Sequence, residues 1–132
     1  MARMTLALHE QLYSIHSFAP DTPIDPIVFT QPMYFIGKTQ DELSIVTPSE
    51  IQLDSLEQED DWRCFEVMGP LGFSMTGILS RVSGALSDAN ISIFAISTFD
   101  TDYILVKKEK LQDAINALSR KSYKIVEYGS DS

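Results

Sequence analysis

After residue 61 the chain alternates between two hydrophobic periods in a fixed order, and that order leaves few folds open. Trp62 to Met68 alternates apolar and polar residues, as a half-buried strand does, and Gly69-Pro70-Leu71-Gly72 breaks it. From Met75 to Ala89 the apolar positions Ile78, Leu79, Val82, Ala85, Leu86 and Ala89 recur at spacings of three and four, which gathers them on one helical face. Ser74 or Thr76 is placed to cap that helix, and Asn90 to end it in a left-handed conformation. Ile91 to Thr98 and Asp102 to Val106 are rich in strand formers and flank a short turn, so they form a hairpin. Leu111, Ala114, Ile115 and Leu118 mark a second amphipathic helix, and Tyr123 to Tyr128 a last strand. The order βαββαβ predicts an α+β, ferredoxin-like module with two helices on one face of an antiparallel sheet.

The first half is less regular. Thr5 to Leu8 and Leu12 to Phe18 read as short strands, and Met33 to Ile36 with Leu43 to Val46 as a hairpin. Pro20, Pro23 and Pro26 between them allow only a loop or one short helical turn. Leu53 to Asp61 holds five acidic residues and is expected to be a solvated linker, which divides the chain into residues 1–60 and 61–132. At an offset of 60 residues Glu42 to Val46 lies over Asp102 to Val106, each an acidic turn residue opening an apolar strand. Chance accounts for that overlay equally well.

Charge narrows the range of functions. Residues 1–60 carry two basic residues against ten acidic ones, and residues 61–132 eight against nine. Nucleic acid and anionic membranes are disfavoured, because phosphate contacts need clusters of Lys and Arg. One cysteine, no apolar leader and no stretch long enough to span a bilayer predict a reduced, cytoplasmic protein. His9 and His16 have no partners at zinc-like spacing and read as surface or interface residues. Cys64 reads as a small buried residue rather than a nucleophile. No phosphate loop, dinucleotide fingerprint or nucleophile triad is present, so the expectation is a non-enzyme with no cofactor and no metal.

Two segments can hold a ligand. The glycine-rich bend entering the first helix offers Gly72, Phe73, Ser74, Met75 and Gly77, where free backbone N–H groups and the helix dipole favour a carboxylate. The hairpin tip offers Ser97, Thr98, Phe99 and Asp102, the last able to accept from an ammonium group. Physics alone also allows Ser74 as a cap, Phe73 and Met75 as core, and the tip as an ordinary turn.

Taken together, GPLGFSMTGIL and ISIFAISTFDTDYILV resemble short tandem ACT-domain proteins, the ACT domains of the cytosolic arginine sensors of animals and, more distantly, those of aspartate kinases. The resemblance runs from about Trp62 to Leu118. It implies an ACT module in the C-terminal half with a smaller, degenerate, β-rich ACT-like half before it. It also implies a regulatory homodimer, or other homo-oligomer, that holds a small-molecule ligand, an amino acid, at a module or dimer interface. In the arginine sensors the ligand contacts correspond to Phe73, Met75, Gly77, Thr98, Phe99 and Asp102 here. Met75 stands where those sensors carry an acidic residue, which makes a neutral or apolar amino acid as reasonable a ligand as arginine. The alternatives are a protein-interaction module with no metabolite, and a small enzyme in which His9 or His16 reaches Asp102.

Overall fold

A computed structural model describes residues 4–69 and 77–129. Its contacts gather into two compact units, one of Met1–Glu10 with Arg63–Ser132 and one of Gln11–Trp62.

The larger unit contains β1 (Thr5–Leu8), the second half of β5 (Glu57–Gly69), α1 (Ile78–Asp88), β6 (Ile93–Ser97), β7 (Asp102–Lys107), α2 (Leu111–Arg120) and β8 (Lys124–Glu127). The βαββαβ order is therefore present. The helical face read from the sequence is buried: Ile78, Val82, Ala85 and Leu86 of α1, with Ala114 and Leu118 of α2, pack on Leu6, Phe65, Val67, Ile104 and Val106 of the sheet. Each large apolar side chain removed from water in this way contributes roughly 1.5–3 kcal/mol. Asn90 ends α1 as expected, with φ of 61°, while the N–H of Ile91 reaches back to the Leu86 carbonyl at 3.0 Å. Ser122, with φ of 70°, ends α2 in the same manner.

The sheet departs from a plain βαββαβ module in one respect. β1 pairs antiparallel with β5 and parallel with β8, so residues from the very start of the chain lie between the module's first and last strands. β7 pairs with β5 and with β6. Leu6 and Ala7 are buried, and Leu6 joins the core under the helices. The sequence division at residue 60 had grouped these residues with the first half; they pack with the second because a strand that buries Leu6 needs an apolar sheet face to do so.

The smaller unit is β-rich. It holds β2 (Tyr13–Phe18), a 3-10 turn (Pro26–Thr30), β3 (Phe35–Lys38), β4 (Leu43–Pro48) and the first half of β5. β4 lies between β3 and β2, and β2 also pairs with β5. Phe18, Val28, Leu43 and Ile45 form its apolar cluster, with Ile24, Tyr34, Ile51 and Leu53 against it.

The acidic linker is a correction. Residues 57–61 are strand, not loop; Glu57, Gln58 and Glu59 pair with β2, and the side chains of all five stay exposed. A backbone ladder forms whatever the side chains are, and carboxylates in solvent do not oppose it. Asp61 takes φ of 67° where the register slips between Tyr13 and Ile15, a bulge that an Asp tolerates better than a branched residue. Beside it, Asp60 accepts a hydrogen bond from Ser14 at 2.6 Å, and Ser14 Oγ lies 2.8 Å from Ser49 Oγ.

The histidine readings also need correction, since both side chains are buried. His16 Nδ1 lies 3.0 Å from Ser55 Oγ, while its Nε2 has no hydrogen-bond partner among the described residues. Burial, partly offset by the Asp60 carboxylate, holds the imidazole below its ordinary pKa of 6.5. The unfolded chain thus takes up a proton near pH 6.5 that the folded chain refuses until lower pH. His16 costs no stability above that pH and an increasing amount below it, with a slope of at most about 1.4 kcal/mol per pH unit. Urea unfolding across this range checks it. The native chain is expected to lose more stability on acidification than His16→Gln, and parallel profiles would contradict the assignment.

Candidate functional site

The hairpin between β6 and β7 is held by its own side chains. Ser97 Oγ donates to Asp102 Oδ1 at 2.5 Å across the first register pair of the two strands. The N–H of Thr98 donates to the Thr101 carbonyl at 2.8 Å, and Thr98 Oγ1 donates to the same oxygen at 3.1 Å. These bonds use the hydroxyl-rich composition that marked the turn in the sequence. Phe99 at the tip is fully exposed.

Thr101 anchors that tip. Its Oγ1 donates to the carbonyl of Val67 at 2.6 Å, two residues before β5 ends at Gly69. The hairpin is thereby tied to the place where the chain leaves β5 for the glycine-rich bend. Gly72, Phe73, Ser74 and Met75 lie outside the described residues, as do both expected helix caps, Ser74 and Thr76.

The helix that follows begins at Gly77, whose φ of 78° is left-handed and which makes no side-chain cap. Gly77 has no side-chain oxygen to offer the first N–H groups of α1, and that end of a helix favours an anion. Arg81 lies one turn on. Its Nη1 would stand 3.1 Å from a Cβ added at Gly77, so the guanidinium curls back over the helix start. A helix N-terminus and a guanidinium at one place favour a carboxylate more than either does alone. Sequence reasoning missed both Arg81 and Thr101. The spacing of four from Gly77 to Arg81 was the available signal for the first; nothing local marked the second.

A second polar group of the larger unit gathers just past the end of β1, on β5 and just past β8. His9 Nε2 lies 2.9 Å from Glu66 Oε1, its ring stacks on Tyr128 at 4.0 Å, and Arg63 donates to its carbonyl at 2.9 and 3.2 Å. Burial, with the Glu66 carboxylate adding to it, pushes the Cys64 thiol up to about 12. It stays protonated at neutral pH and is a poor nucleophile. His9 pairs with Glu66 and His16 with Ser55; neither is hydrogen-bonded to Asp102 among the described residues.

The family model described as an ACT domain matches residues 57–120, which run from the start of β5 to the end of α2. The matched segment is similar to ACT domains and has their ferredoxin-like fold. Among curated proteins this chain is 39% identical over 75 residues to the human cytosolic arginine sensor for mTORC1 subunit 1, covering 56% of this chain and 22% of that one. The mouse protein of the same name is 32% identical over 98 residues, 68% of this chain and 30% of the relative. The chain spans less than a third of the length of these relatives.

Solved structures extend the likeness over the whole chain. A crystal structure of a protein from Agobacterium tumefaciens superposes with a TM-score of 0.88 at 29% identity, covering 100% of this chain and 98% of that one. The regulatory subunit of aspartate kinase from Thermus flavus superposes with a TM-score of 0.63 at 15% identity, covering 91% and 98%. At that identity the second likeness is one of fold. No helix among the described residues is long and apolar enough to cross a membrane.

Proposed function

We propose that this ACT protein is regulatory rather than catalytic, and that it senses a free amino acid at the start of α1 and the tip of the β6–β7 hairpin. The observation that carries the reading is the Thr101–Val67 bond, which ties the acidic tip to the strand end that feeds the bend. The ligand carboxylate would lie at the N–H groups of the first turn of α1 with Arg81, and its ammonium would meet Asp102. The names of the relatives, an arginine sensor and a regulatory subunit of aspartate kinase, agree with this class of ligand. The site would close against a second module supplied by another copy of the chain, and closure would pass the signal to a regulated partner. The function of the smaller unit as a degenerate second ACT module belongs to the same proposal.

A ligand that binds only the folded chain stabilises it by about 2.7 kcal/mol at a hundredfold excess over its dissociation constant. For a chain of this size that corresponds to a rise in Tm of roughly 10 °C. Thermal unfolding with each of the twenty amino acids is expected to show such a rise for one or a few of them, and Asp102→Ala to remove it. No rise with any amino acid would end the proposal.

One observation favours a second reading, a protein-contact module with no metabolite. Phe99 is a fully exposed aromatic at a hairpin tip, where a partner surface would bury it. That reading expects the oligomer mass to fall on Phe99→Ala and to be indifferent to amino acids.

A further inference from the structure

The smaller unit contains a cavity of about 440 Å³ that none of the preceding argument uses. Its floor is the apolar face of β2 and β4, with Phe18, Leu43 and Ile45, and Ile24 and Leu53 close its sides. Its volume falls in the range of small-ligand sites, roughly 300–1,000 Å³. Two carboxylates, Asp25 and Asp54, are the charged residues of the lining.

The electrostatics of this cavity have one sign. Ten acidic residues and a single base, Lys38, fall within Gln11–Trp62, so the whole formal charge of −9 resides on this unit. Lys38 Nζ is engaged by the Pro20 carbonyl at 2.5 Å rather than by a carboxylate. Asp25 is held in place: it accepts from the N–H of Ile27 at 3.0 Å and caps the 3-10 turn, with Pro26 in the first position. Among the described residues neither Asp25 nor Asp54 has a cationic partner.

We infer that this cavity binds a small organic monocation with an apolar body, of the arylalkylamine class. The apolar part would cover Phe18, Leu43, Ile45 and Leu53, and the ammonium would meet Asp54 and the remaining oxygen of Asp25. The field of the unit attracts cations and repels anions over a Debye length of about 8 Å at physiological salt. A free amino acid is rejected here, because its carboxylate would meet like charge with no base to receive it. The chemistry is thus the reverse of that at the start of α1, and the inference stands whether or not the amino-acid proposal does.

The test titrates the full chain with 2-phenylethylamine, phenylalanine and 2-phenylethanol, which share a ring and differ in charge. Calorimetry gives affinities, and NMR shifts at Phe18, Leu43 and Leu53 give the place. The amine is expected to bind saturably and to exceed both others by about tenfold or more, the scale of one charge-assisted hydrogen bond. Asp54→Asn should weaken it by a similar factor. Asp41→Asn, the same charge change at the exposed β3–β4 turn, should leave it within about twofold. Equal binding of the three probes, equal losses in the two variants, shifts confined to the larger unit, or no saturable binding of the amine would each overturn the inference.

Discussion

Deleting residues 1–10 is expected to abolish the cooperative folding of the ACT unit, although those residues lie outside the segment 57–120 that the family model matches. β1 is the strand between β5 and β8, and β8 has no other strand partner among the described residues. Its removal opens the sheet, strips the backbone ladders from two neighbours and uncovers the core beneath α1 and α2. Truncating the buried Leu6 to Ala would by itself cost about 2–5 kcal/mol, against a total of roughly 5–15 kcal/mol for a small domain. Loss of the whole strand exceeds what remains. Near-ultraviolet circular dichroism and thermal unfolding read the outcome: no cooperative transition of the ACT unit is expected, and one within a few degrees of the full chain would contradict the topology.

The second large effect is expected at Phe65. Its side chain is fully buried in β5, the strand to which both β1 and β7 pair, and it belongs to the cluster that α1 and α2 cover. Phe65→Ala removes a ring's worth of transfer free energy and leaves a cavity that close-packed neighbours fill only in part. The expected loss is about 3–5 kcal/mol, or a fall in Tm of roughly 10–20 °C. Met68→Ala, three residues on and nearly half exposed, serves as the control and should cost well under 1 kcal/mol. Urea denaturation distinguishes the two, and equal midpoints would show that the core lies elsewhere.

What was legible in the chain follows from how far each signal reaches. The spacing of Ile78, Val82, Ala85 and Leu86 is local, and it placed α1 and its buried face; Asn90 placed its end. The order βαββαβ named the fold class for the same reason. The position of β1 between β5 and β8 was not legible, because strand pairing across more than fifty residues leaves no mark in a short window. The acidic run from Glu57 to Asp61 read as a linker because composition reports side-chain solvation, whereas a ladder depends on the backbone. His16 read as a surface or interface residue because a histidine among alternating residues carries no label for which face is covered.

The candidate site divided along the same line. Ser97, Thr98 and Asp102 were legible as a group because a turn rich in hydroxyls and carboxylates bonds to itself, and the structure shows those bonds. Gly77 was legible only as part of the glycine-rich bend; its left-handed φ of 78° and the helix start after it, rather than near Met75, were not read from the sequence. Thr101 escaped notice because its partner is a backbone carbonyl 34 residues away. Arg81 escaped notice because its guanidinium acts across one helical turn rather than in the glycine-rich bend itself.

An amide-resolved NMR titration of the full chain with the twenty amino acids bears most directly on the sensing site. At least one amino acid should shift the amides of Gly77 and Ile78 together with those of Thr98 to Asp102, saturating at a single dissociation constant. Saturable binding that moves only other residues, or no binding by any of the twenty, would contradict the account.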